Sequence, residues 1–305
     1  MNYRHAFHAG NFADVVKHVV LSLCLDRLNA KDKPYRFIDT HAGVGAYDLT
    51  GDEARRSPEW RDGVARLWMT EHGAPDAVRA ALAPYMTVLR GMNPDGNLVA
   101  YPGSPAIATR LMREGDAIRL CELHPESAEK LREAVGGDRR VKIEERDGYE
   151  ALGAYVPPPE RRGLVLIDPP FEEGSAERRL DFERMLRVVR KAVKRWPGGV
   201  YLLWRPIKNI DAVAAFDGEL ASVLIEELGM APDKLLAADL WVRDPGRPGP
   251  LAGAGLVVLN PPFGLTEHLK AALPWLANLM DQSSDDEEIE SGWRLVSPEA
   301  EPDAG

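Results

Sequence analysis

Short apolar runs alternate with longer segments of helical periodicity over most of the chain. Seven of these runs, rich in apolar or β-branched residues, predict strands at 36–40, 117–123, 141–146, 163–168, 199–205, 234–242 and 254–260. Helical patterns lie between most of them, including one that Asn11 or Asp14 can cap and one that Ser104 caps, with Pro105 in its first turn. The alternation predicts an α/β fold in which a mainly parallel sheet carries helices on both faces.

The last two predicted strands depart from the parallel pattern. Only 243–253, a stretch rich in Pro and Gly, separates them, and this is too short for a parallel crossover. We therefore expect them to pair as an antiparallel hairpin, which makes the sheet seven-stranded and mixed.

Two segments lie outside the alternation. The interval between the first two strands is too long for one crossover, and its two apolar stripes predict a small helical insertion at about 52–98. The chain from Asp281 has few apolar residues as far as Glu290, which predicts a largely disordered acidic tail at 281–305, with a short strand at 293–296 as a minor expectation. Residues 1–280 then form one domain.

The net charge of −10 is unevenly distributed. Residues 281–305 contain nine acids and one base, a net −8, so the remainder carries only about −2. A predicted helix at 178–195 holds eight bases and two acids. These bases fit either a solvated helix face or a surface that binds phosphates.

Composition excludes several classes of protein. No apolar run approaches membrane-spanning length, the N-terminal residues contain no hydrophobic signal region, and the mean hydropathy is −0.29. Cys24 and Cys121 both lie in apolar segments and are expected to be buried thiols in a reducing compartment, which favours a cytoplasmic protein. No Cys/His spacing suits zinc, so we expect no metal.

The fourth predicted strand ends in Asp168, Pro169, Pro170 and Phe171. Asp168 and the Pro169 carbonyl can each accept one N–H bond from a planar amino group, the prolines stiffen the turn, and the Phe171 ring can lie against a base. At the carboxyl end of a parallel strand, this segment predicts a site that binds and positions an amine.

Three other strand ends carry residues suited to a nucleoside. The loop after the first strand (DTHAGVG, 39–45) contains His41 and Gly43, Glu122 ends the second strand, and Asp147 and Gly148 end the third. Glycines allow close approach of the backbone, and acids at these positions can accept bonds from ribose hydroxyls or an adenine amino group. Each feature alone fits an ordinary turn or surface acid, but together they favour a nucleoside-containing cofactor.

A second, similar segment ends the seventh strand. Asn260, Pro261, Pro262 and Phe263 also match an amine-binding pattern. If that strand runs antiparallel, its end faces the opposite edge of the sheet, so we favour a structural strand exit for Asn260 over a catalytic role.

In this order, the motifs resemble those of class I Rossmann-like methyltransferases, whose parallel sheet ends in an antiparallel hairpin and which use S-adenosyl-L-methionine. The sequences YRHAFHAGN at 3–11, YPGSP at 101–105, ELHP at 122–125 and the closing NPPF resemble the RlmJ family of 23S ribosomal RNA adenine-N6 methyltransferases. The resemblance runs from Met1 to about Glu299. It implies a monomeric enzyme that methylates a specific adenine of 23S rRNA.

The resemblance also implies roles for individual residues. It implies cofactor contacts at His18, His41, Ser104, Glu122, Asp147, Gly148 and Asp168, to which the glycine-rich loop adds Gly43. It implies that Asp168 receives the target amine and that Tyr3 contacts the substrate. Phe171 departs from the family, which often has tyrosine there, and the acidic run at 281–290 looks like an insertion.

The N-terminal segment combines aromatic and basic side chains before the first strand. Tyr3, Arg4, His5 and Lys17 belong to this group, whose composition suits a contact with RNA. Spacing alone equally fits Lys17 as a solvated helix residue. Rival functions are methylation of DNA adenine or cytosine or of a protein glutamine, and a non-catalytic RNA-binding protein.

Overall fold

A computed structural model describes residues 5–171, 175–247, 249–284, 290–297 and 303–304. Its strands are β1 (Arg36–Asp39), β2 (Ala46–Asp48), β3 (Ala100–Pro102), β4 (Ala117–Glu122), β5 (Val141–Glu145), β6 (Gly163–Ile167), β7 (Val200–Ile207), β8 (Leu235–Trp241), β9 (Gly253–Leu259), β10 (Gly292–Val296) and β11 (Asp303–Ala304). Its α-helices are α1 (Phe12–Asn29), α2 (Asp52–Arg56), α3 (Val64–Thr70), α4 (Asp76–Met92), α5 (Ser104–Leu111), α6 (Pro125–Val135), α7 (Gly148–Tyr155), α8 (Ser175–Arg195), α9 (Ile210–Ala221) and α10 (Leu265–Leu279).

The main sheet has the order β11-β10-β8-β9-β7-β6-β1-β4-β5. Strands β5, β4, β1, β6 and β7 are parallel, whereas β9 pairs antiparallel with both β7 and β8. The seven predicted strands and the antiparallel hairpin are therefore confirmed. In the sheet, β1 lies between β4 and β6, and the chain goes first to β4 and β5 on one side and later to β6 and β7 on the other. The carboxyl end of β1 is therefore the switch point of the sheet, where ligands bind in such folds.

The sheet is larger than the seven strands that the sequence predicts. Strand β10 pairs antiparallel with β8, and β11 pairs with β10. A separate two-stranded sheet joins β2 to β3. Strand β10 agrees with the short strand expected at 293–296, whereas β2, β3 and β11 have only two or three residues each and contain no apolar run.

Alternate residues of the parallel strands build two cores. Phe37 and Leu166 point into the core shared with α1, α4, α5 and α10, whereas Ile38 and Val165 point into the core under α7, α8 and α9. All five residues of β6 are buried, as expected for a central strand covered on both faces.

Helices α2 to α4 occupy the segment between β2 and β3. Helix α4 is the longest of them and packs against α1 and α10. Its buried stripe includes Val78, Leu82, Tyr85 and Leu89, which follows the helical period expected from the sequence.

A buried charge network attaches β10 to the sheet. Arg205 of β7 is fully buried and pairs with Asp217 (2.7 Å) and Asp239 (2.5 Å). Arg294 of β10 pairs with the same two carboxylates, at 3.2 and 2.5 Å. The two carboxylates offset the desolvation cost that a buried cation without partners would carry.

Two features are absent from the described residues: a helix that could span a membrane and a cluster of metal-binding side chains. None of the helices found there combines the length and apolar character needed to cross a bilayer. The described residues also contain no cluster of three or more His, Cys, Asp or Glu side chains that could hold a metal ion.

Candidate active site

Four acids lie at the carboxyl ends of four adjacent parallel strands. Asp39 ends β1, Glu122 ends β4, Asp147 follows β5 and Asp168 follows β6. Because these strands are neighbours in the sheet, their ends meet at one edge. The structure thus places the predicted strand-end acids at a common site, and adds Asp39, which the sequence reading left out.

Asp39 forms the floor of the loop after β1. Its carboxylate accepts a bond from Ser104 Oγ at 2.6 Å and one from the His41 amide at 3.1 Å. Burial raises the pKa of Asp39 to about 7, although both hydrogen bonds act in the opposite direction. Ser104 is the first residue of α5 and its hydroxyl is committed to Asp39, so the predicted cap is wrong and Gly103 holds that position.

The glycine-rich loop is tied to the next strand end. The Gly43 amide donates to Glu122 Oε2 at 2.9 Å, and the His124 amide donates to Glu122 Oε1 at 2.9 Å. Gly43 and Gly45 adopt φ values of 62° and 81°, a backbone conformation that glycine reaches without strain. Glu122 therefore sits in a fixed orientation at the mouth of the loop.

Asp147 caps helix α7 and pairs with α8. Its Oδ1 accepts bonds from the Tyr149 and Glu150 amides, and its Oδ2 is 2.6 Å from Arg184. Burial opposes the charge, but these bonds outweigh burial and lower the pKa of Asp147. Gly148 is required by packing, because a Cβ there would lie 1.9 Å from the Thr40 carbonyl oxygen.

His41 lies between the β1 loop and α7. Its Nδ1 is 2.8 Å from Thr40 Oγ1, and its ring meets Tyr149 edge-on at 4.8 Å between centroids. Burial lowers the pKa of His41 to about 4, so the ring is neutral at neutral pH.

Lys17 lies between two carboxylates. Its Nζ is 2.6 Å from Asp168 Oδ2 and 2.8 Å from Asp14 Oδ1. Burial disfavours the ammonium, but the two carboxylates outweigh burial and raise the pKa of Lys17 well above its usual value. Burial also opposes ionisation of Asp14, yet the charges of His5 and Lys17 hold the pKa of Asp14 well below its usual value.

This placement changes the reading of Lys17. Its side chain is only 6% exposed, so it is not a solvated helix residue. Any contact that it makes with a substrate therefore lies next to the Asp168 carboxylate.

The aromatic side of the site surrounds Phe171. Its ring lies 5.0 Å from Phe182 of α8 and 5.7 Å from Trp204 of β7, both in tilted arrangements. Lys17 Nζ is 6.0 Å from the centre of the Trp204 ring. Phe171 is half-buried, so part of it remains open to the site.

The remaining predicted residues fall in different places. His5 bonds to Asp14 at 3.0 Å and lies 5.3 Å from the Tyr47 ring, at the edge of the pocket. His18 is buried between helices, with its Nδ1 2.8 Å from the Tyr101 hydroxyl. Tyr3 and Arg4 lie outside the described residues.

Asn260, the look-alike of Asp168, lies at the opposite edge of the sheet. It follows β9, which runs antiparallel to β7. Its side-chain amide donates to the carbonyls of Pro197 (2.8 Å) and Gly199 (2.7 Å), which closes the turn between α8 and β7. The expected structural role for Asn260 therefore agrees with its position.

The sequence reading missed several members of the site. Asp39 could have been found, because it ends a predicted parallel strand at the same edge as the other acids. From the sequence, Asp14 is only a possible helix cap. Trp204 lies near the end of a predicted strand and belongs to no motif. The sequence around Asp14 and Trp204 does not mark either residue as part of a site, because both reach it through tertiary contacts.

Comparison with known proteins gives consistent results. The family model described as "Ribosomal RNA large subunit methyltransferase D, RlmJ" matches residues 32–295. The ribosomal RNA large subunit methyltransferase J of Escherichia coli K12 is 39% identical over 277 residues, covering 90% of this chain and 92% of that protein. The protein of the same name from Haemophilus influenzae is 36% identical over 282 residues, covering 92% and 94%.

A solved structure agrees over nearly the whole chain. The crystal structure of a protein from Legionella pneumophila superposes with a TM-score of 0.81 at 30% identity, covering 95% of this chain and 98% of that one. The family model spans well over half of the sequence, and the two curated relatives exceed 30% identity across nine-tenths of it. The chain therefore belongs to the RlmJ family of ribosomal RNA large subunit methyltransferases.

Proposed function

We propose that this protein transfers a methyl group from S-adenosyl-L-methionine to the N6 amine of an adenine in 23S rRNA. The observation that carries the proposal is the position of Asp168, Pro169 and Phe171 at the end of β6, beside three further acidic strand ends. The names of the relatives, which are ribosomal RNA large subunit methyltransferases, support the substrate class.

The residues at this edge suit the cofactor in their chemistry. Glu122 is oriented by two backbone amides and can accept bonds from ribose hydroxyls, and Asp147 with Gly148 lies beside it for the adenine amino group. The loop at Gly43 lets the backbone approach closely, next to Asp39 and Ser104. When bound, S-adenosyl-L-methionine supplies an electrophilic methyl group on a positively charged sulfur.

Asp168 and Pro169 provide acceptors for the target amine. The lone pair of an adenine amine is delocalised into the ring, so the amine is a poor nucleophile. Bonds from its two N–H groups to the Asp168 carboxylate and the Pro169 carbonyl favour a pyramidal nitrogen with an available lone pair. Preorganised acceptors of this kind also stabilise the positive charge that develops on nitrogen.

Lys17 positions Asp168 for this role. It donates to Oδ2 at 2.6 Å, which leaves Oδ1 for the substrate. In this arrangement Asp168 acts as a hydrogen-bond acceptor, and the proton leaves to water after transfer. Alignment of amine and methyl group supplies most of the remaining acceleration, up to ~7–11 kcal/mol by analogy with intramolecular reactions.

Phe171 offers the face for the base. A base removed from its stack loses neighbours, and stacking on an aromatic ring offsets part of that loss by ~1–3 kcal/mol. An unpaired or accessible adenine therefore suits this pocket better than one inside a duplex.

A comparison of 23S rRNA from strains with and without the gene tests the proposal. Mass spectrometry of nuclease fragments should show one adenosine that loses a single methyl group in the deletion strain. Restoring the gene should restore the methyl group. Unchanged rRNA, together with methyl loss from DNA or from a protein glutamine, would contradict the proposal.

A further inference from the structure

Helix α8 carries an outward face made almost entirely of bases. Its buried side consists of Phe182, Met185, Leu186, Val189, Ala192 and Val193. At 100° per residue, the opposite side is centred on Leu180, Arg184, Arg187, Lys191, Lys194 and Arg195, which share about 100° of arc. All six are exposed.

This stripe of cations is not neutralised within the helix. The segment 184–195 contains six bases and no acid. Arg190, on the flank, pairs with Glu227 at 2.6 Å, and Arg184 pairs with Asp147. In the part of the chain described here, Arg187, Lys191 and Lys194 form no salt bridge.

The stripe starts at the candidate active site. Phe182 of α8 packs on Phe171, and Arg184 both bonds to Asp147 and lies 4.7 Å from the Tyr149 ring. These contacts fix the part of α8 around Phe182 and Arg184 against the amine-binding segment and the predicted adenine end of the cofactor site. From there the cations continue down the outer surface, since α8 returns toward the amino ends of the strands.

We propose that Arg187, Lys191 and Lys194 bind the phosphodiester backbone of the RNA strand whose target base enters the pocket. A chain with a net charge of −10 repels RNA in general, so a local cationic track that begins at the site directs the strand. The proposal rests on the proposed function, because it assigns the RNA partner of that same site.

The dimensions agree with such a track. Arg187 and Lys194 are seven positions apart, which corresponds to about 10 Å of helix. A stacked strand places one phosphate per ~3.4 Å, so three cations spaced along this length can meet separate phosphates. The contacts position the strand without reading its sequence.

The test is a triple variant, Arg187→Gln, Lys191→Gln and Lys194→Gln, with Arg184 left intact because it contacts Asp147. The matched control is Lys31→Gln, Lys33→Gln and Arg161→Gln. It removes the same charge from exposed positions at the amino ends of β1 and β6, the edge opposite the site. Binding of a 23S rRNA fragment is measured by fluorescence anisotropy over a series of salt concentrations, and KM for RNA is measured by methyl transfer.

We expect the stripe variant to raise the Kd and KM for RNA about tenfold and to lower the salt slope by ~0.7 per lost phosphate contact, or about 2 in total. Its affinity for S-adenosyl-L-methionine and its melting temperature should match the wild type. The control should bind RNA like the wild type. An equal rise of the Kd for RNA in both variants would mean that only the net charge matters. An unchanged Kd in the stripe variant would mean that the RNA binds elsewhere. Either result overturns the proposal.

Failure of the proposed function has a different signature. In that case the wild type itself transfers no methyl group to any rRNA fragment, whatever the stripe does to binding. A wild type that methylates RNA, with a stripe variant that binds and reacts equally well, would reject the track alone.

Discussion

Two segments of this protein, 168–171 and 260–263, share the pattern of a polar residue, two prolines and phenylalanine, yet the fold gives them opposite surroundings. Asp168 ends a parallel strand at the edge that collects the other acids, and a buried lysine bonds to it. Asn260 ends an antiparallel strand at the far edge, and its side chain bonds to the carbonyls of a neighbouring turn. Phe171 packs on two aromatic rings, whereas Phe263 is 96% exposed.

The comparison shows that the direction of the preceding strand determines whether such a segment can face the candidate site. The segment stiffens a strand exit in both places, because the prolines restrict the backbone. Only the exit on a parallel strand next to the switch point faces the site where a cofactor can bind.

Substitution of the two polar residues should give the largest contrast. Asp168→Ala should lower methyl transfer at least ~10²–10³-fold, because it removes a preorganised acceptor for the developing cation. Binding of S-adenosyl-L-methionine, measured by calorimetry, should largely persist. Asn260→Ala should change the rate little, and a loss of transfer only in that variant would reverse the assignment.

The two phenylalanines should differ by a smaller factor. Phe171→Ala removes a stacking surface of ~1–3 kcal/mol, so kcat/KM for RNA should fall about 10- to 100-fold. Phe263→Ala alters an exposed ring and should leave kcat/KM within about twofold. Steady-state kinetics on one RNA fragment measures both, and similar losses would argue that stacking at Phe171 is unimportant.

Stability should show the reverse order. Asn260 has φ 53°, a conformation that costs an alanine ~1–2 kcal/mol, and its side chain supplies two hydrogen bonds. Asn260→Ala should therefore lower the free energy of unfolding by about 2 kcal/mol in urea denaturation. Asn260→Gly keeps the backbone freedom and should recover about 1 kcal/mol of that. No loss in either variant would contradict the structural role.

Lowering the pH should change the free energy of unfolding differently at the two edges of the sheet, by a still smaller amount. His18 lies next to Lys17 in α1, and burial lowers its pKa to about 3. Below pH 6.5 the unfolded chain takes up a proton there that the folded chain excludes, so stability falls by up to about 1.4 kcal/mol per pH unit.

Denaturation of the wild type and His18→Asn at pH 7 and pH 5.5 isolates this contribution. The comparison is needed because Asp39, with a pKa of about 7, takes up a proton in the folded state and acts in the opposite direction. The loss of stability on acidification should be smaller in His18→Asn. The loss in free energy of unfolding caused by Asn260→Ala should be the same at both pH values, because the partners of Asn260 are carbonyl groups. If His18→Asn and Asn260→Ala showed the same pH dependence of stability, the contrast would be contradicted.

Much of the fold follows from local patterns in the sequence. The apolar runs at β6 and β9 are buried throughout, and the short interval before β9 permits only a hairpin. The strand-end acids follow from the same reading, because parallel strands bring their carboxyl ends together.

Partners distant in sequence could not be predicted. The bond from Lys17 to Asp168 joins residues 151 positions apart, and its formation depends on how α1 packs beside β6. Ser104 meets Asp39 in the same way, across 65 positions. The pairing of Arg294 in β10 with Asp217 and Asp239 likewise joins distant parts of the chain, so the sequence does not reveal it.

The central claim is that the edge at Asp168, and not the edge at Asn260, methylates an adenine of 23S rRNA at N6. The most direct measurement incubates purified wild type, Asp168→Ala and Asn260→Ala with S-adenosyl-L-methionine and 23S rRNA fragments, followed by nucleoside mass spectrometry. The account predicts N6-methyladenosine at one position with the wild type and Asn260→Ala, and none with Asp168→Ala. Full methylation by Asp168→Ala, or a methylated nucleoside other than N6-methyladenosine, would contradict it.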